Sequence, residues 1–162
     1  MTRNRSASII IAAAVLLAGL LAGLRTGAFS KNGPETIQSV YVPVYSSIYH
    51  GDREREFHLA VTLSIRNSDM SHSIVIDRVD YFDSSGELLK RYLAVKRTIG
   101  PLESVQYVVR ESDKKGGIGA NFIVRWRSSR PVSEPVIESV MIGTGGQQGI
   151  SFTSRGVIIK EK

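Results

Sequence analysis

FHLAVTLSIR, residues 57–66, alternates with a period of two. Phe57, Leu59, Val61, Leu63 and Ile65 fall on one face, all apolar, while the opposite face of His58, Ala60, Thr62, Ser64 and Arg66 has one apolar member. Successive side chains of an extended strand point to opposite sides, so this spacing predicts a half-buried β-strand rather than a helix. GANFIVRWR, residues 119–127, repeats the pattern. Ala120, Phe122, Val124 and Trp126 point one way and Asn121, Arg125 and Arg127 the other, with Ile123 the exception.

Outward from these two stretches, β-branched or aromatic runs recur at residues 37–45, 74–82, 88–93, 105–110, 136–142 and 150–159, which makes about eight strands. Turn formers separate them: Asn67-Ser68-Asp69, Asp83 to Gly86, Gly100-Pro101, Gly116-Gly117, Pro131 to Pro135 and Gly143 to Gly149. The pattern predicts an all-β domain over residues 37–160, an antiparallel immunoglobulin- or fibronectin-like β-sandwich of seven or eight strands, after a linker at 31–36. Trp126 is expected at the centre of its core, with Phe57, Val61, Phe122 and Val124 around it. Strands that each cross a sandwich place alternate connections at the same end. Loops one, three, five and seven, from Ser46 to Arg55, Asp83 to Gly86, Ser112 to Ile118 and Thr144 to Gly149, are therefore expected together, at the end facing away from the N-terminal segment.

That N-terminal segment, residues 1–30, reads as a signal peptide or membrane anchor with a hydrophobic helix at about residues 8–24. Nineteen uncharged residues separate Arg5 from Arg25, and as a helix they reach about 28 Å, close to a bilayer's hydrocarbon thickness. Arg3 and Arg5 precede it, which keeps the amino end in the cytoplasm and sends the rest across. The hydrophobic run is long for a signal peptide, which favours an uncleaved anchor facing the periplasm; cleavage after Ala28 or Ser30 gives a periplasmic protein instead. The chain has no cysteine, which excludes disulfides, thiolate metal sites, a catalytic thiol and lipid anchoring through cysteine. The net charge of +6 falls to +3 without Arg3, Arg5 and Arg25, and the remaining charges of both signs are interspersed along the chain, so no nucleic-acid partner is expected.

Chemistry-bearing motifs are scarce. GTGGQQG, residues 143–149, has backbone amides for an anion but lacks the lysine and hydroxyl of a phosphate loop and precedes a strand. KKGGIG, residues 114–119, suits a hairpin turn. Asp77, Asp80 and Asp83 recur every third residue, which alternates faces along a strand and assembles no carboxylate cluster. Met70 and His72 form a Met-x-His pair of the kind offered to copper, the one metal alternative. Arg110, Glu111 and Asp113 border the fifth loop, where they read as a solvated strand end in preference to an acid–base cluster. No serine is marked as a nucleophile.

The strings YVPVYSSIYHGD (41–52), LSIRNSD (63–69), YFDSSGELL (81–89), RESDKKGGIGANFIVRW (110–126) and VMIGTGGQQGISFTSRG (140–156) resemble one bacterial family, DUF3124, over roughly residues 37–159. The resemblance implies an exported or membrane-tethered protein and no known activity, ligand or cofactor. It also implies that Arg110, Asp113, Gly116, Gly117, Asn121, Gly143, Thr144 and Gly149 matter to the family's architecture or surface. Together these readings lead to a non-enzymatic envelope module that binds a protein or glycan. Its expected surface is a loop cluster of Arg110, Asp113, Gly116, Gly117, Asn121, Gly143, Thr144 and Gln148, without a cofactor. The alternatives are a periplasmic small-ligand or copper carrier using Met70 and His72, and a hydrolase on the fifth loop.

Overall fold

The computed structural model describes residues 35–145 and 149–160. The predicted N-terminal helix, the linker up to residue 34 and Gln148 lie outside the described residues. No helix among the described residues is long and apolar enough to cross a membrane.

The described chain is all-β, and its strands pair antiparallel throughout. One sheet takes the order β12-β1-β9-β5-β6, with β7 also on β5. Its members are β1 (Thr36–Pro43), β5 (Ile74–Phe82), β6 (Leu88–Arg91), β7 (Arg97–Ile99), β9 (Asn121–Ser128) and β12 (Val157–Ile159). The second takes the order β11-β10-β4-β8, from β4 (Ala60–Arg66), β8 (Ser104–Val109), β10 (Val136–Gly143) and β11 (Ile150–Arg155). A separate hairpin joins β2 (Ser47–His50) to β3 (Arg55–His58).

Period-two alternation is what makes the two large sheets bury one face each. Val40, Val42, Phe122, Val124, Trp126, Ile76, Val79 and Tyr81 from the first sheet share a single buried cluster with Val61, Leu63, Ile65, Val105, Val109, Ile137 and Met141 from the second. Trp126 is 1% exposed and lies in the second half of β9, opposite Ile76 on one side and Gln38 on the other. Phe57 departs from expectation. The strand read as continuous from 57 to 66 breaks at Leu59, and the half before the break pairs with β2 instead of entering the sheet. Leu59 and Val61 are fully buried, whereas Phe57 is half-buried and packs against the core from the loop end. The reason is a local partner: β2 offers β3 a hairpin of its own across the turn at Gly51.

Two irregularities interrupt the strands. At Asp77 the pairing of β5 with β9 slips by a residue, so Ile76 faces Trp126 and Arg78 faces Arg125, with Asp77 bulged between them. A bulge resets the alternation, so Asp77 and Asp80 come to line the same groove; the expectation that their spacing holds them apart is corrected here. The second irregularity is Gly156. There the chain leaves β11 in one sheet and enters β12 in the other, and a β-carbon would lie 2.5 Å from Val40 Cγ1 and 3.1 Å from the Ile137 carbonyl oxygen.

The end remote from the hairpin is fastened by Asn67 and Asp69, both buried. Asn67 Nδ2 donates to the carbonyls of His72 at 2.8 Å and Gly100 at 2.9 Å, and its Oδ1 accepts the Asp69 amide at 3.0 Å. The Asp69 carboxylate accepts amides from Ser133 at 3.0 Å and from Ser71 and His72 at 2.8 Å each. Those amides, Ser133's foremost, hold its pKa down at about 2. One pair of side chains thus ties three loops, residues 67–73, 100–103 and 129–135, into a closed base.

Candidate functional site

The opposite end is built by the odd-numbered loops. Ser46, just before β2, donates its amide at 3.1 Å and its hydroxyl at 3.0 Å to the Gly117 carbonyl. Ser84, in the turn after β5, donates its amide and hydroxyl to the Gly116 carbonyl at 3.0 and 2.9 Å, and its Oγ accepts the Gly119 amide at 2.8 Å. Loops one, three and five are thereby stitched together by backbone acceptors of the glycine run. Loop seven joins through β3: a β-carbon on Gly143 would stand 2.2 Å from the Phe57 ring, and one on Gly145 3.2 Å from it.

This geometry sorts the sequence-derived candidates. Gly116, Gly117 and Gly143 serve packing. Gly116 is buried against the Tyr81 hydroxyl, so close that a β-carbon would lie 1.9 Å from that oxygen. Burial pushes the Tyr81 phenol up to about 12, with Ser46 as its polar neighbour. Asn121 opens β9 inside the sheet, opposite Pro43 and Phe82. Thr144 is exposed on the side of the β2–β3 hairpin.

Arg110 and Asp113 do line an open groove, of about 650 Å³, between the fifth loop and the segment after β6. Lys90, Tyr92, Ser112, Lys114 and Lys115 complete its polar lining. Tyr92 is its fixed element: the hydroxyl donates to the Val108 carbonyl at 2.9 Å, the ring meets Tyr107 edge-on at 5.4 Å, and Lys90 Nζ caps the ring at 4.0 Å. Burial and then the nearby Asp113 carboxylate raise the Tyr92 pKa. Asp113 Oδ1 accepts the Lys115 amide at 3.2 Å, an Asx turn that orients the loop. Four cations thus surround one carboxylate. Sequence reasoning reached Arg110 and Asp113 but not Lys90 or Tyr92, because their place depends on β6 pairing with β5 at the sheet edge.

A second groove, of about 570 Å³, runs along the outer face of the first sheet. Arg125 and Arg127 of β9, Arg78 of β5, and Arg91 and Lys96 beside it surround Asp77 and Asp80. Arg78 Nε is 2.5 Å from Asp80 Oδ2, and Lys96 and Arg127 each stand 3.3 Å from Asp77 Oδ1. The alternation of β9 put Arg125 and Arg127 on this face in the sequence, but the bulge that gathers the two aspartates under them left no sequence signal.

Met70 and His72, the metal alternative, lie at the base of the domain. Met70 is 80% exposed, and His72 Nδ1 lies 3.4 Å from Asp69, whose oxygens are taken by backbone amides. Among the described residues no group of three histidine, aspartate or glutamate side chains gathers. His50 sits in β2 at the other end of the domain from His72. Arg110 and Glu111 are exposed strand-end residues.

A family model described as "Protein of unknown function (DUF3124)" matches residues 37–159. No curated protein matches the chain. Among solved structures, the crystal structure of Thermotoga maritima 1070 is similar at 12% sequence identity and a TM-score of 0.47, covering 74% of this chain and 92% of that one.

Proposed function

Because the chain belongs to the DUF3124 family, whose description names no activity, we propose its role from geometry: a non-enzymatic interaction module of the cell envelope, binding a protein or glycan at the loop end. The single observation that carries this is the groove of Lys90, Arg110, Asp113, Lys114 and Lys115, exposed on a rigid frame of hydrogen-bonded loops. Loops positioned by a stiff scaffold are where such folds bind partners. The frame is read as an immunoglobulin- or fibronectin-like sandwich, supported by two antiparallel sheets that share one core around Trp126 and by a chain that changes sheet at Gly156. Envelope location rests on the uncharged run between Arg5 and Arg25, which supplies either an inner-membrane anchor or a cleaved leader.

The test is site-specific photo-crosslinking in intact cells, with a photoreactive residue in place of Lys114 or, as the control at the opposite end, of Arg130. The expected result is a discrete adduct from position 114 alone. Equal adducts from both positions, or none from 114, would remove the loop end as the binding surface.

A further inference from the structure

Residues 35–160 are close to neutral, yet their charge is not evenly spread. Of the chain's 21 basic and 15 acidic residues they hold 16 and 14, the others being Arg3, Arg5, Arg25, Lys31, Lys162 and Glu161. The two grooves described above gather nine of those 16 cations and only three of the 14 carboxylates. Adding Glu35, which pairs with Arg127 at 3.1 Å, and Glu111 beside Arg110 still leaves nine against five. Everything else in these residues is left with seven cations and eleven carboxylates or, with those two counted in the belt, nine. The grooves are net positive and the rest of these residues net negative.

The two grooves also adjoin. Lys90 and Tyr92 line one, and Arg91 and Leu93 line the other, so alternate residues of a single edge segment face the two grooves. The cations therefore form a belt that wraps the free edge of the first sheet. From the loop end down to Arg127, the length of β9 from Asn121 sets its reach at about 20 Å, at ~3.3 Å per residue. That span exceeds a single small anion and suits a chain carrying repeated charges.

We propose that this belt binds a linear acidic polysaccharide, one that carries a carboxylate on successive sugar units. The inference rests on the loop-end reading and names its ligand class. Three observations favour this polymer over other polyanions. The grooves are lined mainly by charged side chains, and their aliphatic residues, Ile37 and Leu93 in one and Val108 and Val109 in the other, are divided between the two instead of forming the single anchor pocket that a protein partner needs at its interface core. Tyr92, their one aromatic, is covered by Lys90 and packed on Tyr107, so bases of a single-stranded nucleic acid have no platform to stack on. The cations stand on both sides of an edge strand rather than in one plane, which an acidic lipid surface would require. A flexible, hydrated acidic chain that folds over the edge meets both sets.

The probe is fluorescein-labelled polygalacturonate, titrated by anisotropy against the full-length chain in neutral detergent. The expected result is saturable binding that weakens steeply between 20 and 200 mM salt, since each neutralised charge releases counterions, here roughly tenfold or more. Neutral dextran should not bind. Arg91→Glu and Lys90→Glu, one on each side of the edge, should each weaken binding by about tenfold, while Arg130→Glu, outside both grooves, leaves it unchanged. Circular dichroism checks that each variant keeps its sheet content. Equal binding of dextran, insensitivity to either edge substitution, or tighter binding of polyglutamate, an oligodeoxythymidine or phosphatidylglycerol vesicles would overturn the inference. If polygalacturonate fails while the photo-crosslink at Lys114 yields a protein adduct, this inference falls and the loop-end reading stands. If both fail, both fall.

Discussion

Gly116→Ala is the sharpest test of how the loop end is held. The added methyl would stand 1.9 Å from the Tyr81 hydroxyl oxygen and 2.9 Å from both Tyr81 Cζ and Ala120 Cβ. None of these atoms has room to retreat, because Tyr81 is 1% exposed, stacked at 5.0 Å on Phe122, and Ala120 is equally buried. Overpacking of a close-packed interior costs about 1 to 3 kcal/mol, and this contact belongs at the upper end. The Gly116 carbonyl also accepts two bonds from Ser84, so a backbone shift that relieved the clash would loosen loop three as well. Tyr81→Phe removes the nearest atom and, because that buried hydroxyl has no hydrogen-bond partner in the structure, should alone be close to neutral, within about 1 kcal/mol. Combined with Gly116→Ala it should cost at least about 1 kcal/mol less than the sum of the two, because the worst contact no longer exists. The measurement is urea unfolding of the full-length chain in detergent, followed by fluorescence of Trp126, its only tryptophan. Strict additivity of the two substitutions, or a neutral Gly116→Ala, would show that the Tyr81–Gly116 contact does not fasten the loops.

The opposite end makes two further predictions. Asn67→Ala strands the His72 and Gly100 carbonyls and the Asp69 amide in a buried site, and should destabilise by about 2 to 3 kcal/mol in the same urea assay. The Asp69 carboxyl has a folded pKa of about 2, below its ordinary 3.8, so the stability it contributes is complete above the ordinary value and is lost as pH falls toward about 2. Asp69→Asn should accordingly lower stability at pH 6 and flatten its decline between pH 4 and pH 2; an acid limb identical to that of the parent chain would contradict the assignment.

Much of this architecture was written locally. Strict alternation in 60–66 and 120–127 placed Val61, Leu63, Ile65, Phe122, Val124 and Trp126 inside, and all six are. What failed was continuity. Phe57 obeys the same period as Val61, but a break at Leu59 and a nearby partner strand took it out of the sheet, and periodicity carries no information about which strand a segment pairs with. Asp77 and Asp80 were separated by the same parity rule, which one extra residue in β5 reverses. Asn67 and Asp69 read as turn formers, which they are, yet their second role as a buried clasp depends on carbonyls and amides from residues 99–103 and 133. The candidate surface divides in the same way. Arg110 and Asp113 flank a turn visible in the sequence, whereas the cations at 78, 90, 91, 96, 125 and 127 are dispersed along it and converge only through strand pairing.

β1 lies between β9 and β12, with Ser39 opposite both Arg125 and Ile159. As the chain is made, the first strand of the domain therefore appears long before either neighbour, and the last of its hydrogen-bonding partners is completed only when residue 159 has been added. Pairings so distant in sequence are slow to form. An exposed TIQSVYVP segment must wait for them, and the interval before they arrive is the time of greatest risk from aggregation.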